Sequence, residues 1–522
     1  MKKQNLILLS SFFLLLAGCG KEEVSERKSN LISSTPVTPV TSQPDVTSVP
    51  DSSSVEEVIT HDKPVYASPT GNRDGDGSKN NPVDFLTGIS LLTPGNTLYL
   101  LEGTYKYDSP ILIQHTLAVS ESTDKYAVTR EEGRRTIQPE ENNGEYVKVS
   151  FDFSDMTFNS ANRGISLNSD YWTLKGCELF GAGDNGVYVG GNHNIVEDMD
   201  IHDCQDSGLQ LGRKASSCTS IETWPSDNLI KNVTSHDNHD PSGEDSDGFA
   251  CKLTTGYNNV FDGCISYNNV DDGWDLYAKG DTGQIGPVTI KNCVAFNNGI
   301  TSYGVGTANS DGNGFKLGGE SIAVSHVVEN CIAFNNLATG FTDNSNPGTL
   351  SITNCTAFNN GTRDLDANNF DLCRDRDTSS NVYKNLLSYC EGDRVNPIDG
   401  TVAKANSRDQ YKGSAAYCIF YSGLSMLHFS SIQQCDYGVP SLAGSLYTEP
   451  DRLSPFVSTV SPQPQASKDV PASEHPDLHH LLRNKDGSIN LGDFLKVNPN
   501  SAFATLGEGG KPIGADLSGG KR

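Results

Sequence analysis

One short pattern recurs down the middle of the chain, and it leaves few folds open. It reads a small or apolar start, then an aromatic residue, then Asn or Asp. Copies are Gly176-Cys177-Glu178-Leu179-Phe180, Asp198-Met199-Asp200-Ile201-His202-Asp203 and Asn232-Val233-Thr234-Ser235-His236-Asp237. They continue with Gly263-Cys264-Ile265-Ser266-Tyr267-Asn268, Asn292-Cys293-Val294-Ala295-Phe296-Asn297 and Asn330-Cys331-Ile332-Ala333-Phe334-Asn335. Asn354-Cys355-Thr356-Ala357-Phe358-Asn359 and the weaker Asn385-Leu386-Leu387-Ser388-Tyr389-Cys390 complete the series. Equivalent residues lie 22 to 38 positions apart. Such a period, with Gly and Asn at turns, is that of a solenoid, and its variable length puts insertions in loops. A second pattern follows the first: Gly186-Val187-Tyr188-Val189, Gly208-Leu209-Gln210-Leu211, Gly248-Phe249-Ala250-Cys251, Gly273-Trp274-Asp275-Leu276 and Gly314-Phe315-Lys316-Leu317. Its period of two marks strands with one buried face. Each coil therefore carries at least two strands and a turn, and the fold expected is all-β, a right-handed parallel β-helix. Leucine-rich repeats compete, but their Leu spacing is absent.

Equivalent residues of successive coils stack about 4.8 Å apart in such a helix. Cys177, Cys264, Cys293, Cys331 and Cys355 are expected to form an internal ladder. Parallel Cβ vectors there argue against disulfides. Cys204, Cys218, Cys251, Cys373, Cys390, Cys418 and Cys435 are left unassigned. Phe180, Tyr267, Phe296, Phe334, Phe358 and Tyr389 are expected to stack in the core. Asn268, Asn297, Asn335 and Asn359 are expected to form an amide ladder at a buried turn. A helical segment near residues 81–92 would cap the first coil, whose open edge would otherwise aggregate.

The ends divide the chain further. Lys2 and Lys3 precede an apolar run from Leu6 to Leu16, too short to span a bilayer. It ends Leu16-Ala17-Gly18-Cys19, which reads as a bacterial lipobox with Cys19 as the lipid anchor. Residues 1–18 are thus expected to be a lipoprotein signal peptide and 19–62 a Ser/Thr/Pro-rich tether. The solenoid follows over 63–442, and a C-terminal extension over 443–522 packs along it. Export is expected, to the outer membrane or cell surface with the periplasm and the exterior as alternatives, with membrane attachment only through the lipid, and the protein is expected to be a monomer. The 39 basic residues against 65 acidic ones give a net charge of −26, which excludes a nucleic-acid binder and a protein held to anionic lipid by charge.

Aligning the second pattern on its Gly gathers carboxylates on one face. Asp247 stacks beside Asp272, Asp271 adjoins Asp272, and Asp275 follows a turn later. One Asp alone caps a turn. Four together repel strongly unless a cation sits among them, and an all-oxygen donor set suits Ca²⁺ above Mg²⁺. Lys316 falls in the outward register of Asp275, one coil later. By itself it reads as a solvated ion-pair partner; beside a bound divalent ion its neutral form becomes accessible, and a neutral lysine is a competent general base.

Asp247, then Asp271-Asp272-Gly273-Trp274-Asp275, then Asn313-Gly314-Phe315-Lys316-Leu317-Gly318-Gly319, resemble the family-nine polysaccharide lyases, which are pectate lyases, from about Tyr66 to about Cys435. The resemblance implies a parallel β-helix, calcium aspartates at Asp247, Asp271, Asp272 and Asp275, and a catalytic lysine at Lys316. It implies β-elimination on polygalacturonate, a polyanion that calcium would bridge to this acidic protein. Lys252 and Lys279 lie near the same face and are expected either to hold further uronates or to be surface charges. His236, His239, Asp237 and Asp240 have a metal cluster's composition, but His236 falls on the aromatic stack, which favours a structural role. The segment from Asn484 to Asn490 with Asp493 resembles part of a calcium loop whose first ligand position would be Leu482, which cannot bind; a turn leading into a short helix is expected instead. Two other functions fit the scaffold: a β-helix glycoside hydrolase, with two carboxylates for acid and base work, and a non-catalytic glycan-binding solenoid.

Overall fold

The computed structural model describes residues 63–114, 131–363 apart from 308, 368–447 with short gaps, 455–462 and 477–517. The expected signal peptide, Cys19 and the whole of the tether lie outside the described residues. Three sheets of 13, 13 and 10 strands stack side by side, and consecutive coils pair in parallel. One coil runs Ile195–Glu197 in the first sheet, Asp200–His202 in the second and Leu209–Leu211 in the third. The repeat pattern thus covers two of three strands. At the C-terminal end the pairing turns antiparallel, as Gly413–Ala416 meets Gln433–Cys435 and Cys418–Tyr421 meets Met426–Phe429. The cap helix is Phe85–Leu91, shorter than expected; the Asp84 carboxylate accepts the Thr87 N–H at 3.0 Å.

The second-sheet strands from Glu178–Phe180 to Thr356–Phe358 each sit between two left-handed corners. Asn268, Asn297, Asn335 and Asn359 have φ of 51–54°, so they are corner residues and do not form the amide ladder expected of them. The ladder is made by the next residue. Asn238 Nδ2 donates to Asn269 Oδ1 at 2.7 Å, Asn269 to Asn298 at 3.0 Å, Asn298 to Asn336 at 2.9 Å and Asn336 to Asn360 at 2.8 Å. The Asn-Asn doublets thus divide two tasks: the first residue tolerates positive φ, and the second satisfies buried backbone groups. The five ladder cysteines are buried and free, and Cys264 N–H points at Cys293 Sγ at 3.3 Å.

The aromatic stack exists, but in a different place. Rings pair face to face along Phe180, His202, His236, Tyr267, Phe296 and Phe334, and again from Phe358 to Tyr389. From Tyr267 onward they belong to a second apolar cluster, separate from the barrel interior, which they share with Phe456, Leu478, Leu482, Phe494 and Ile513. Strand alternation explains this: in Ile265-Ser266-Tyr267 it is Ser266 that joins the interior amide ladder, through Asn269 and Asn298. Phe494 crosses Phe334 edge-on at 4.7 Å. Polar ties fix the same segment, with Arg483 donating to Gly263 O at 2.7 Å and Asp516 N–H to Asn330 Oδ1 at 2.7 Å. Residues 484–490 form a tight turn closed by Asp486 on Ser488 that follows the helix Leu478–Leu481 rather than leading into one.

Candidate active site

The third sheet positions the acidic pocket. Its register pairs Phe249 with Trp274 and Ala250 with Asp275, then Asp275 with Lys316, so the outward side chains of three coils share one row. Gly273 opens the middle strand where a Cβ would lie 2.5 Å from Gly314 O, which is why the row is preceded by glycines. Before those glycines runs a side-chain ladder. Asp247 Oδ1 accepts the Asp272 N–H at 3.2 Å, and Asp272 Oδ1 accepts the Asn313 N–H at 2.7 Å and its Nδ2 at 2.9 Å. One oxygen of each aspartate is therefore committed to the backbone, and the other faces the pocket.

Asp247, Asp271 and Asp272 are buried, and each offers an oxygen within 4.8 Å of the others. Asp275 lies outside that triplet, yet its Oδ1 is buried with no hydrogen-bond partner. Two ammonium groups face these carboxylates. Lys316 Nζ lies 3.0 Å from Asp272 and 2.8 Å from Asp311; Lys252 Nζ lies 2.7 Å from Asp247 and 3.2 Å from Asp275. Burial, reinforced by neighbouring carboxylates and opposed by the lysines, pushes Asp247 and Asp271 well above the usual carboxylate range, and Asp272 rises to about 6. Burial acts to lower Lys316, but Asp272, Asp275, Asp271 and Asp311 outweigh it and hold the amine strongly protonated. Buried carboxyls that resist ionisation without a further cation, and the orphan Asp275 oxygen, make an all-oxygen donor set that fits a hard divalent ion.

Two expectations about the lysines need correction. Lys316 does not point to open solvent: its side chain is 10 % exposed, folded onto Asp272 and Asp311. Lys252 is buried in the pocket rather than presented on the open face, because Asp247 and Asp275 draw it in. Lys279 stays half exposed, 4.0 Å from Asp281. Asp311 was missed; it lies in an insertion before the strand, where the period-two pattern carries no signal.

A profile described as the Pel9A-like right-handed β-helix region matches residues 65–385. The chain belongs to this family, the family-nine polysaccharide lyases. Among relatives of this Pel9A-like chain is pectate lyase L of Paenibacillus polymyxa (strain SC2), 38 % identical over 86 % of this chain and 85 % of its own. Pectate lyase L of Thermoclostridium stercorarium is 42 % identical over 58 % of this chain but only 23 % of its own length. A crystal structure of pectate lyase Pel9A superposes with a TM-score of 0.58, covering 84 % of this chain and 90 % of that one at 24 % identity, which shows the shared fold.

A second cluster of this Pel9A-like chain lies on the second sheet. His202 stacks between Phe180 at 5.3 Å and His236 at 4.8 Å. Asp203 and Asp237 hold the two Nδ1 atoms at 2.7 Å, while Glu178 and Asp200 face the Nε2 atoms at 3.6 and 3.4 Å. Asp200, His202 and His236 are close enough to hold a metal, but the near-parallel rings aim their nitrogens side by side rather than at one point. They read as an ion-paired stack. Burial opposes their charge, yet the carboxylates win and raise His202 to about 10 and His236 to about 9. A raised folded pKa contributes stability fully present below the unfolded value of about 6.5 and lost as pH climbs through about 9–10. The thermal midpoint is expected to fall by several degrees between about pH 7 and 10, and His202→Phe, which keeps the stack, to flatten that slope in calorimetry. A midpoint that rises with pH would contradict this.

Proposed function

We propose that the protein is a calcium-dependent pectate lyase that cleaves polygalacturonate by β-elimination. The observation that carries this reading is Lys316 Nζ lying 3.0 Å from Asp272, itself one of three clustered buried aspartates, with the unpartnered Asp275 oxygen in the neighbouring position of the row. Asp247, Asp271, Asp272 and Asp275 would hold the ion. Bound there, calcium would supply positive charge to offset these carboxylates, to attract a uronate carboxylate and to acidify the C5 proton beside it. Lys316, released from the carboxylates that keep it protonated, takes that proton. The C5–H pair becomes the C4–C5 double bond, the C4–O bond breaks, and the departing oxygen is protonated from solvent. No water is added across the bond. Ala250, Asp275 and Lys316 stand in register on successive coils, the row along which a uronate polymer would approach the ion.

The lipobox at Leu16-Ala17-Gly18-Cys19 supports export and a lipid anchor at Cys19. Among the described residues no helix is long and apolar enough to cross a membrane.

The assay is the ultraviolet absorbance of the unsaturated uronate formed from polygalacturonate. It is expected to rise with calcium present and to stop on adding a chelator. Reducing ends without that absorbance would overturn the reading in favour of a hydrolase, and binding without either signal in favour of a glycan-binding solenoid.

A further inference from the structure

The pocket already contains a cation, and it belongs to the chain. Lys252 Nζ touches Asp247 at 2.7 Å and Asp275 at 3.2 Å, and both residues are among the four proposed to hold calcium. Its side chain is 9 % exposed, so little of its charge is spent on water. The backbone fixes it there. Lys252 directly follows the strand Phe249–Cys251, and the next residue, Leu253, is held at φ 63°, a strained conformation for leucine, with its N–H on Tyr277 O at 2.8 Å. Ala250, the register partner of Asp275, is the smallest side chain in the row. Its ammonium group meets carboxylates.

We propose that Lys252 is an intramolecular counter-cation that competes with the divalent ion for Asp247 and Asp275. It keeps the calcium-free pocket from flying apart and sets how much calcium is needed to fill it. It is a positioning residue and takes no part in proton transfer. The inference rests on the calcium site proposed above.

A merely structural lysine, once removed, would leave calcium affinity unchanged or weaken it. A competitor, once removed, strengthens it. Calorimetric titration of the full chain with calcium is expected to give a dissociation constant at least about tenfold lower for Lys252→Met than for the parent. The calcium-free melting point of that variant is expected to drop and its rise on adding calcium to exceed the parent's. Lys252→Arg, which keeps the charge, is expected to bind calcium within about threefold of the parent. If Lys252→Met needs calcium to stay folded, its affinity is read by competition with an indicator chelator, and unfolding on chelation supports the proposal. Lys252→Gln serves as a second uncharged variant. Unchanged or weaker calcium binding in both would overturn the proposal, as would failure of both to fold in calcium, because Lys252 has no necessary task once the ion is bound. If the parent itself binds no calcium, the lyase reading falls too; if only the variants fail to tighten, this inference falls alone.

Discussion

Replacing Lys316 by Ala is expected to cut turnover of polygalacturonate by about 10²–10⁴-fold, the usual contribution of a positioned general base. Calcium binding should survive, because Lys316 is a partner of Asp272 and Asp311 and donates nothing to an ion. The parent's rate should also climb with pH. In the calcium-free pocket Asp272 and its neighbours hold the amine protonated; an ion among them would weaken that hold, and only the deprotonated amine accepts the C5 proton. Parallel rate and calcium titrations check both points. Residual activity above about one tenth of the parent, at a pH where the parent is active, would give the proton to another base.

Asp271→Asn is the complementary change. Asp271 Oδ1 accepts the Asp311 N–H at 2.6 Å, a bond that an asparagine oxygen retains, so the loop carrying Asp311 should keep its place. The charge and one ion-facing oxygen are lost. Calcium affinity is expected to fall by about 100-fold or more, since ligand charge count tunes such sites. Activity should vanish at low calcium and return in part at high calcium. Lys316→Ala should show no such return. A rate curve for Asp271→Asn that overlays the parent's at every calcium concentration would remove Asp271 from the metal set.

The fold was legible because stacking repeats one message many times. Cysteines directly after one corner and aromatics directly before the next fix the coil independently of any single residue. The sequence pattern was less informative on direction. Tyr267 and its stack look like core, and they are buried, but by the C-terminal segment that carries Phe494 and Leu482 rather than by the barrel. The first-sheet strands passed unnoticed because Ile195–Glu197 and Leu229–Lys231 bury only their middle residue and are too short to show a period. At the site, aligning on glycine brought Asp247, Asp272, Asp275 and Lys316 into adjacent rows, since backbone register is a property of the chain. Where the charged ends of the side chains go is set by electrostatics across coils. Lys252 folds back onto Asp275 and Lys316 onto Asp272, each across to a neighbouring coil, and each also meets the aspartate five residues before it, Asp247 or Asp311.

The most direct measurement is the anomalous diffraction of crystals of the Lys316→Ala protein grown with calcium and a short uronate. One ion should appear at about 2.3–2.6 Å from oxygens of Asp247, Asp271, Asp272 and Asp275, with a substrate carboxylate completing its shell. Crystals that hold the uronate beside Asp275 with no ion among those four aspartates would contradict it.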